Sequence, residues 1–167
     1  VWNMALHHPE VVDCVASLCV PMGFEEVVDA LIPHVNRDIY PEAEYPKGQW
    51  DYQYFYQESF EVAQNEMEVN PYRLVKALFR KGSPEGVGKP AGTAVTRKNG
   101  GWFGQDGPPD LPIDLDVVSV EDAKTFAAAL SRNGFFGANS WYMNHDKNYA
   151  YSQELSGDKK LNMPVLF

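Results

Sequence analysis

Residues 11–20 read VVDCVASLCV, rich in β-branched side chains and nearly all apolar. Such a run suits a parallel strand covered on both faces, where no solvent side exists to force alternation. Pro21-Met22-Gly23 ends it, since neither proline nor glycine supports a paired strand. Residues 1–8 before it read as the tail of a helix, stopped at His8-Pro9 because the residue before proline is driven out of the helical region. Far along the chain, Met163-Pro164-Val165-Leu166-Phe167 opens a second apolar run. These segments predict the α/β class, with Val11–Val20 and Met163–Phe167 as parallel strands of one sheet.

Between the strands the character changes. Residues 33–50 are rich in proline, tyrosine and charge, a long surface excursion. Residues 50–57, WDYQYFYQ, put Trp50, Tyr52, Tyr54 and Tyr56 on alternate positions. A helix is expected from Ser59 to Val69, and Asn70-Pro71 supplies a cap and a first-turn proline for another. That next helix, Tyr72 to Arg80, carries Leu74, Val75, Leu78 and Phe79 on one face, with Gly82 as its stop. Residues 82–114 hold most of the glycines and prolines and read as loop. Ser119 and Asp122 resemble a capping box for a helix through Arg132, ended by Asn133-Gly134. A last helix is expected from Ser140 to Leu155, with Gly157 beyond it. Residues 1–24 therefore read as a core helix and strand, 25–160 as an inserted, mainly helical lid, and 161–167 as the start of the next core strand. The first helix lacks an N-cap and the final apolar run has only begun, so the chain is expected to be a fragment whose neighbours bury both ends.

The chain has 167 residues, of which 44% are hydrophobic and 22% charged, enough for one domain with a real core. Its formal charge of −9 disfavours nucleic acid and anionic membrane surfaces as partners. No apolar run is long enough for a membrane span. Cys14 and Cys19 share one apolar segment, too far apart along a strand to bridge, and read as buried, reduced thiols of an intracellular protein. A cytoplasmic location is expected, with a peroxisomal one left open.

The motifs that invite cofactor chemistry fail in detail. Gly82 to Pro90 has Ser83 where a phosphate loop needs its first glycine, and Pro90 where it needs a magnesium-binding hydroxyl. Asp106, Asp110, Asp114 and Asp116 lack the glycine and terminal glutamate of a calcium loop and read as a solvated acidic turn. His7 and His8 fit a helix-end role. His34 and His145 stand alone. No cofactor and no metal is expected.

The nine tyrosines cluster at 40–56 and 142–151. Most read as amphipathic filler between helices. Two hydroxyls from separate segments could nonetheless serve as an electrophilic pair, because a phenol is neutral at pH 7 and can donate to a developing oxyanion.

Particular segments carry a family resemblance. Asp51-Tyr52-Gln53-Tyr54-Phe55-Tyr56-Gln57-Glu58, with Lys76-Ala77-Leu78-Phe79-Arg80 after an acidic helix, resembles the first part of the cap domain of soluble epoxide hydrolases. So does Gly134-Phe135-Phe136-Gly137 followed by Trp141-Tyr142 and Asn148-Tyr149. The opening Val1 to Leu6 with His8-Pro9-Glu10 resembles the helix after the nucleophile elbow of α/β-hydrolases. Val15-Ala16-Ser17-Leu18 and Pro164-Val165-Leu166-Phe167 resemble core strands of that fold. The order is the family's throughout, and residues 82–118 compare least well.

The resemblance implies an enzyme that opens epoxides to vicinal diols through a covalent alkyl-aspartate ester, without a cofactor. Tyr52 and Tyr142 match the two cap tyrosines that polarise the epoxide oxygen. Trp50, Tyr54, Phe135 and Trp141 are candidate lining of the substrate pocket. The implied partner is a small apolar epoxide, and a homodimer has no sequence support. The implied nucleophile lies before Val1, and the acid and histidine lie after Phe167. The chain alone is therefore expected to be inactive. Two other readings stay open. One is a different Asp-nucleophile hydrolase of the haloalkane-dehalogenase kind, enlisting Trp50 or Trp141, and the other is an inactive cap that binds an apolar ligand or a partner.

Overall fold

The structure, a computed structural model, describes residues 1–22, 28–155 and 159–167. The expected boundary at residues 24–25, the strand stop at Gly23 and the helix stop at Gly157 lie outside the described residues. Two compact units are present: residues 1–33 together with 144–167, and residues 34–143.

The first unit is built on α1 (Trp2–His7), β1 (Val15–Ala16), α8 (His145–Gln153) and β2 (Val165–Leu166). β1 and β2 are parallel, with Val15 opposite Val165 and Ala16 opposite Leu166. The Val15 amide donates to the Pro164 carbonyl at 3.0 Å and the Ser17 amide to that of Leu166 at 3.0 Å. Trp2, Ala5 and Val15 form a small core with Val12, Leu161 and Met163 against it. The paired segment is much shorter than the expected strand from 11 to 20, and Pro9–Val11 is a 3-10 turn. The ladder is confined to the residues whose amides meet β2. Among the described residues neither strand has a second neighbour, so Leu18 and Leu166 are exposed instead of doubly covered. The expectation of buried thiols is overturned for the same reason. Cys14 and Cys19 are both free and exposed, Cys19 in a bend at φ 74°. His7 and His8 do more than end α1. The His7 ring stacks on Tyr151 at 3.7 Å, and His8 Nε2 lies 3.1 Å from the Tyr151 hydroxyl.

The second unit is helical, with α2 (Asp51–Glu58), α3 (Phe60–Glu68), α4 (Pro71–Leu78), α5 (Thr96–Asn99), α6 (Val120–Asn133) and α7 (Phe136–Ser140). Asn70 caps α4 as its spacing implies, its side chain accepting from the Arg73 amide at 3.0 Å. Ser119 caps α6, accepting from the Asp122 amide at 3.0 Å. Gly134 ends α6 at φ 67°, a conformation that costs other residues a steric penalty. α4 packs on α6 through Val75 against Ala123 and Ala127, whose small side chains on successive turns let the backbones approach.

Three expectations in this unit change. α4 stops at Leu78, and Leu78 and Phe79 are exposed while Leu74 and Val75 are buried. Hydrogen bonds draw the chain off the helix there: Arg80 Nη1 donates to the Pro112 carbonyl at 2.5 Å, and the Lys81 amide to Asp114 Oδ2 at 3.0 Å. The acidic turn is accordingly not merely solvated. Asp110 takes Lys76 and Arg73, and Asp116 takes Lys81 at 2.5 Å. The expected helix from 140 to 155 is broken, α7 passing into a 3-10 turn at Trp141–Met143 before α8 begins in the other unit. Residues 82–114 are mainly loop, as expected, and hold the short α5 and a turn at 100–103 that proves central to the site.

Candidate active site

α2 places the aromatic run. On a helix, residues four apart share a face while those two apart diverge, so Tyr52 and Tyr56 go together and Tyr54 goes elsewhere. Tyr54 lies between cations, with Lys47 Nζ 4.2 Å and Arg97 Cζ 5.4 Å from its ring centre. Tyr52 and Tyr56 face Tyr142, which the Trp141–Met143 turn delivers from the far end of the unit. The Tyr52 and Tyr142 rings meet edge to face at 5.6 Å, and Tyr56 stacks flat on Tyr142 at 4.4 Å and 5°. Gln57 Nε2 donates to the Tyr142 carbonyl at 3.2 Å and ties that turn to α2.

The hydroxyls of Tyr52 and Tyr142 are hydrogen-bonded to one another. An O–H···O bond spans about 2.5–3.0 Å, so one oxygen placed across from the pair is within reach of both donors. The Tyr142 phenol is pushed up to about 12, first by burial and then by Tyr52 beside it. It is therefore a neutral donor throughout the physiological range. Tyr52 also accepts from Gln53 Nε2 at 3.2 Å, which helps direct its own proton elsewhere.

The remaining sequence candidates occupy different places. Phe135 is buried in the core behind the pair, beside Phe55, Tyr56 and Leu74. Trp50 is half-buried at the start of α2. Trp141 is 53% exposed. Tyr149 and His145 belong to the other unit. Among the described residues, no group of three His, Cys, Asp or Glu side chains could hold a metal ion.

Residues that sequence reading passed over complete the site. Trp102 lies 5.3 Å from Tyr52, ring to ring, and its indole N–H donates to the Tyr56 hydroxyl at 3.1 Å. Burial raises the Tyr56 phenol well above its ordinary value, Tyr142 adds to this, and the Trp102 indole pulls it back. Trp102 is itself placed by Glu66, buried on α3, whose carboxylate accepts from the amides of Trp102 at 3.0 Å and of Phe103. Gly101, at φ 148°, makes room: a Cβ there would come within 2.6 Å of Glu66 Oε2. Asp51, at the start of α2, is held by Arg97 through its amide at 2.9 Å and its Nε at 2.7 Å. The GGWF run at 100–103 was the available signal, two glycines before two aromatics inside an otherwise polar loop.

No protein-family model matches the chain. The chain is 33% identical over 167 residues to bifunctional epoxide hydrolase 2 of Sus scrofa, which covers 99% of this chain and 27% of that protein. It is 26% identical over 171 residues to epoxide hydrolase A of Mycobacterium tuberculosis, covering all of this chain and 48% of the relative. The crystal structure of epoxide hydrolase A from Mycobacterium thermoresistibile superposes with a TM-score of 0.62 at 25% identity, over 98% of this chain and 47% of that one. The chain thus spans between a quarter and a half of the length of these relatives. Its homologues are epoxide hydrolases, and its architecture is that of a portion of the α/β-hydrolase fold.

Proposed function

We propose that this chain supplies the oxygen-polarising part of an epoxide hydrolase, with Tyr52 and Tyr142 donating hydrogen bonds to a single epoxide oxygen. What carries the reading is the mutual hydrogen bond of two phenols brought from opposite ends of the helical unit. Local structure cannot produce that convergence, and packing alone does not require it. On this reading residues 25–160 are the cap of the parent enzyme.

Ring opening then proceeds as follows. A carboxylate oxygen attacks one epoxide carbon and forms an ester bond. The carbon–oxygen bond of the ring breaks, its electron pair moves to oxygen, and a phenol proton follows. Water activated by an imidazole hydrolyses the ester to a vicinal diol and returns the carboxylate, and the proton released restores the phenol. The phenols act where charge develops, and in a site with little water each such donor lowers the barrier by about 2–4 kcal/mol.

Asp51, Glu66 and Glu68 are given structural roles on this reading and not that of the attacking carboxylate. Asp51 is held by Arg97, Glu66 by two backbone amides, and Glu68 by the Phe135 amide at 2.9 Å and by Gln64. The proposal assigns the nucleophile, the imidazole and its orienting acid to residues outside 1–167.

The test is single-turnover ester formation by the full-length parent with an aryl-substituted epoxide. Tyr52→Phe and Tyr142→Phe should each slow the step by the equivalent of about 2–4 kcal/mol and leave the fold intact. The double variant should be far slower than either. Wild-type ester formation by both single variants would refute the pair. Halide release from a haloalkane, with no diol from epoxides, would move the site to dehalogenation.

A further inference from the structure

We infer that Tyr56 is a positioning residue for this reaction: anchored by Trp102 and Met67, its ring lies flat on Tyr142 and holds that phenol toward Tyr52. The inference rests on the reading of Tyr52 and Tyr142 just given. Tyr142 needs such a brace. It sits in a single 3-10 turn, an element with poor hydrogen-bond geometry, and the Trp141 beside it is largely exposed. The bond from Gln57 fixes the Tyr142 carbonyl but not the side-chain torsions that aim the hydroxyl.

Tyr56 can fix them. It is only 3% exposed and belongs to the same helix as Tyr52, one turn further on. α2 therefore carries one donor and the brace of the other, and sets their spacing as a rigid body. The parallel stack at 4.4 Å leaves the Tyr142 ring little freedom to turn.

The Tyr56 hydroxyl does not face the shared oxygen. It accepts from Trp102 Nε1 at 3.1 Å and donates toward Met67 Sδ at 3.9 Å, so both of its roles are occupied. A phenylalanine would fill the same core volume without burying a polar group. The hydroxyl is accounted for as the pin that keeps the brace in register.

The experiment is a double-mutant cycle in the full-length parent, read as the single-turnover ring-opening rate. Tyr56→Leu should slow ring opening by about 10- to 100-fold, the scale for an ångström of misplacement, while KM changes far less. In a Tyr142→Phe background the same substitution should have almost no further effect, because the phenol it positions is already gone. Tyr56→Phe, which keeps the stack and loses only the pin, should be slowed no more than severalfold. Trp102→Phe covers the case in which Tyr56→Leu fails to fold. It removes the indole donor to Tyr56 while keeping an aromatic ring beside Tyr52, should slow ring opening severalfold, and should lose that effect in the Tyr142→Phe background. Effects that multiply with Tyr142→Phe, or wild-type rates for both Tyr56→Leu and Trp102→Phe, would overturn the inference. A Tyr142→Phe variant that is itself unimpaired would instead overturn the underlying function.

Discussion

Glu66→Gln is the substitution with which to probe how the site is held. The Glu66 carboxylate is 7% exposed, and its two oxygens accept from consecutive amides, those of Trp102 and Phe103. Glutamine leaves one acceptor. Its amide nitrogen must then face a backbone N–H, donor against donor. A hydrogen bond to a charged group contributes about 1.5–3 kcal/mol, and a buried amide left unmatched adds a cost of about 1–3 kcal/mol. Trp102 and Phe103 are only partly buried, so water can recover some of that. The expected loss is therefore about 2–4 kcal/mol, toward the lower end of the two contributions combined. Urea denaturation of the parent protein measures it as a lower midpoint at unchanged slope. Because the turn at 100–103 carries Trp102, Glu66→Gln should also slow ring opening, which an equal destabilisation placed in the contact of α4 with α6 should not do. A loss below about 0.5 kcal/mol, the range of ordinary surface changes, would refute the account of Glu66 as the anchor.

Asp51→Asn should destabilise by about 2–3 kcal/mol, below the loss for a fully buried pair because Arg97 is partly exposed; thermal unfolding measures it. At high pH the native state keeps the Tyr142 proton while the unfolded chain, with a phenol near 10, gives it up. Stability from this group is therefore complete below pH 10 and declines as pH rises through about 12, and Tyr142→Phe should show a shallower alkaline fall in Tm. The 167-residue chain by itself should form no diol above background, because two phenols without a nucleophile supply only part of the transition-state stabilisation; product analysis after prolonged incubation decides it.

Much of the scaffold was legible because it rests on short-range signals. Asn70-Pro71 and Ser119 before Asp122 start helices through hydrogen bonds that span three residues, and both are found where the spacing puts them. The parallel relation of the two apolar runs was legible from their composition. Their paired length was not, because a strand extends only as far as a neighbour accepts its amides, and β1 meets β2 over two residues. The exposed Cys14 and Cys19 follow from the same limit. α4 shows the converse case. Its apolar face continues through Leu78 and Phe79 in sequence, yet Arg80 and Lys81 bond to residues 112–116 and end the helix first.

The site divides along the same line. Alternation of Trp50, Tyr52, Tyr54 and Tyr56 leaves their faces undecided until the helical period of α2 separates Tyr54 from the other two tyrosines. Trp102 and Glu66 carry no local signal of partnership, and only the fold joins them. Once joined, they set the Trp102 ring beside Tyr52 and its indole N–H on the Tyr56 hydroxyl. Both carboxylates have donors of their own, Glu66 the Trp102 and Phe103 amides and Asp51 the Arg97 side chain. A free carboxylate facing Tyr52 and Tyr142 would attract their protons for itself, and an anion developing on the substrate would be repelled. On the function proposed above, neutral phenol donors suit an uncharged epoxide that becomes anionic only as its ring opens.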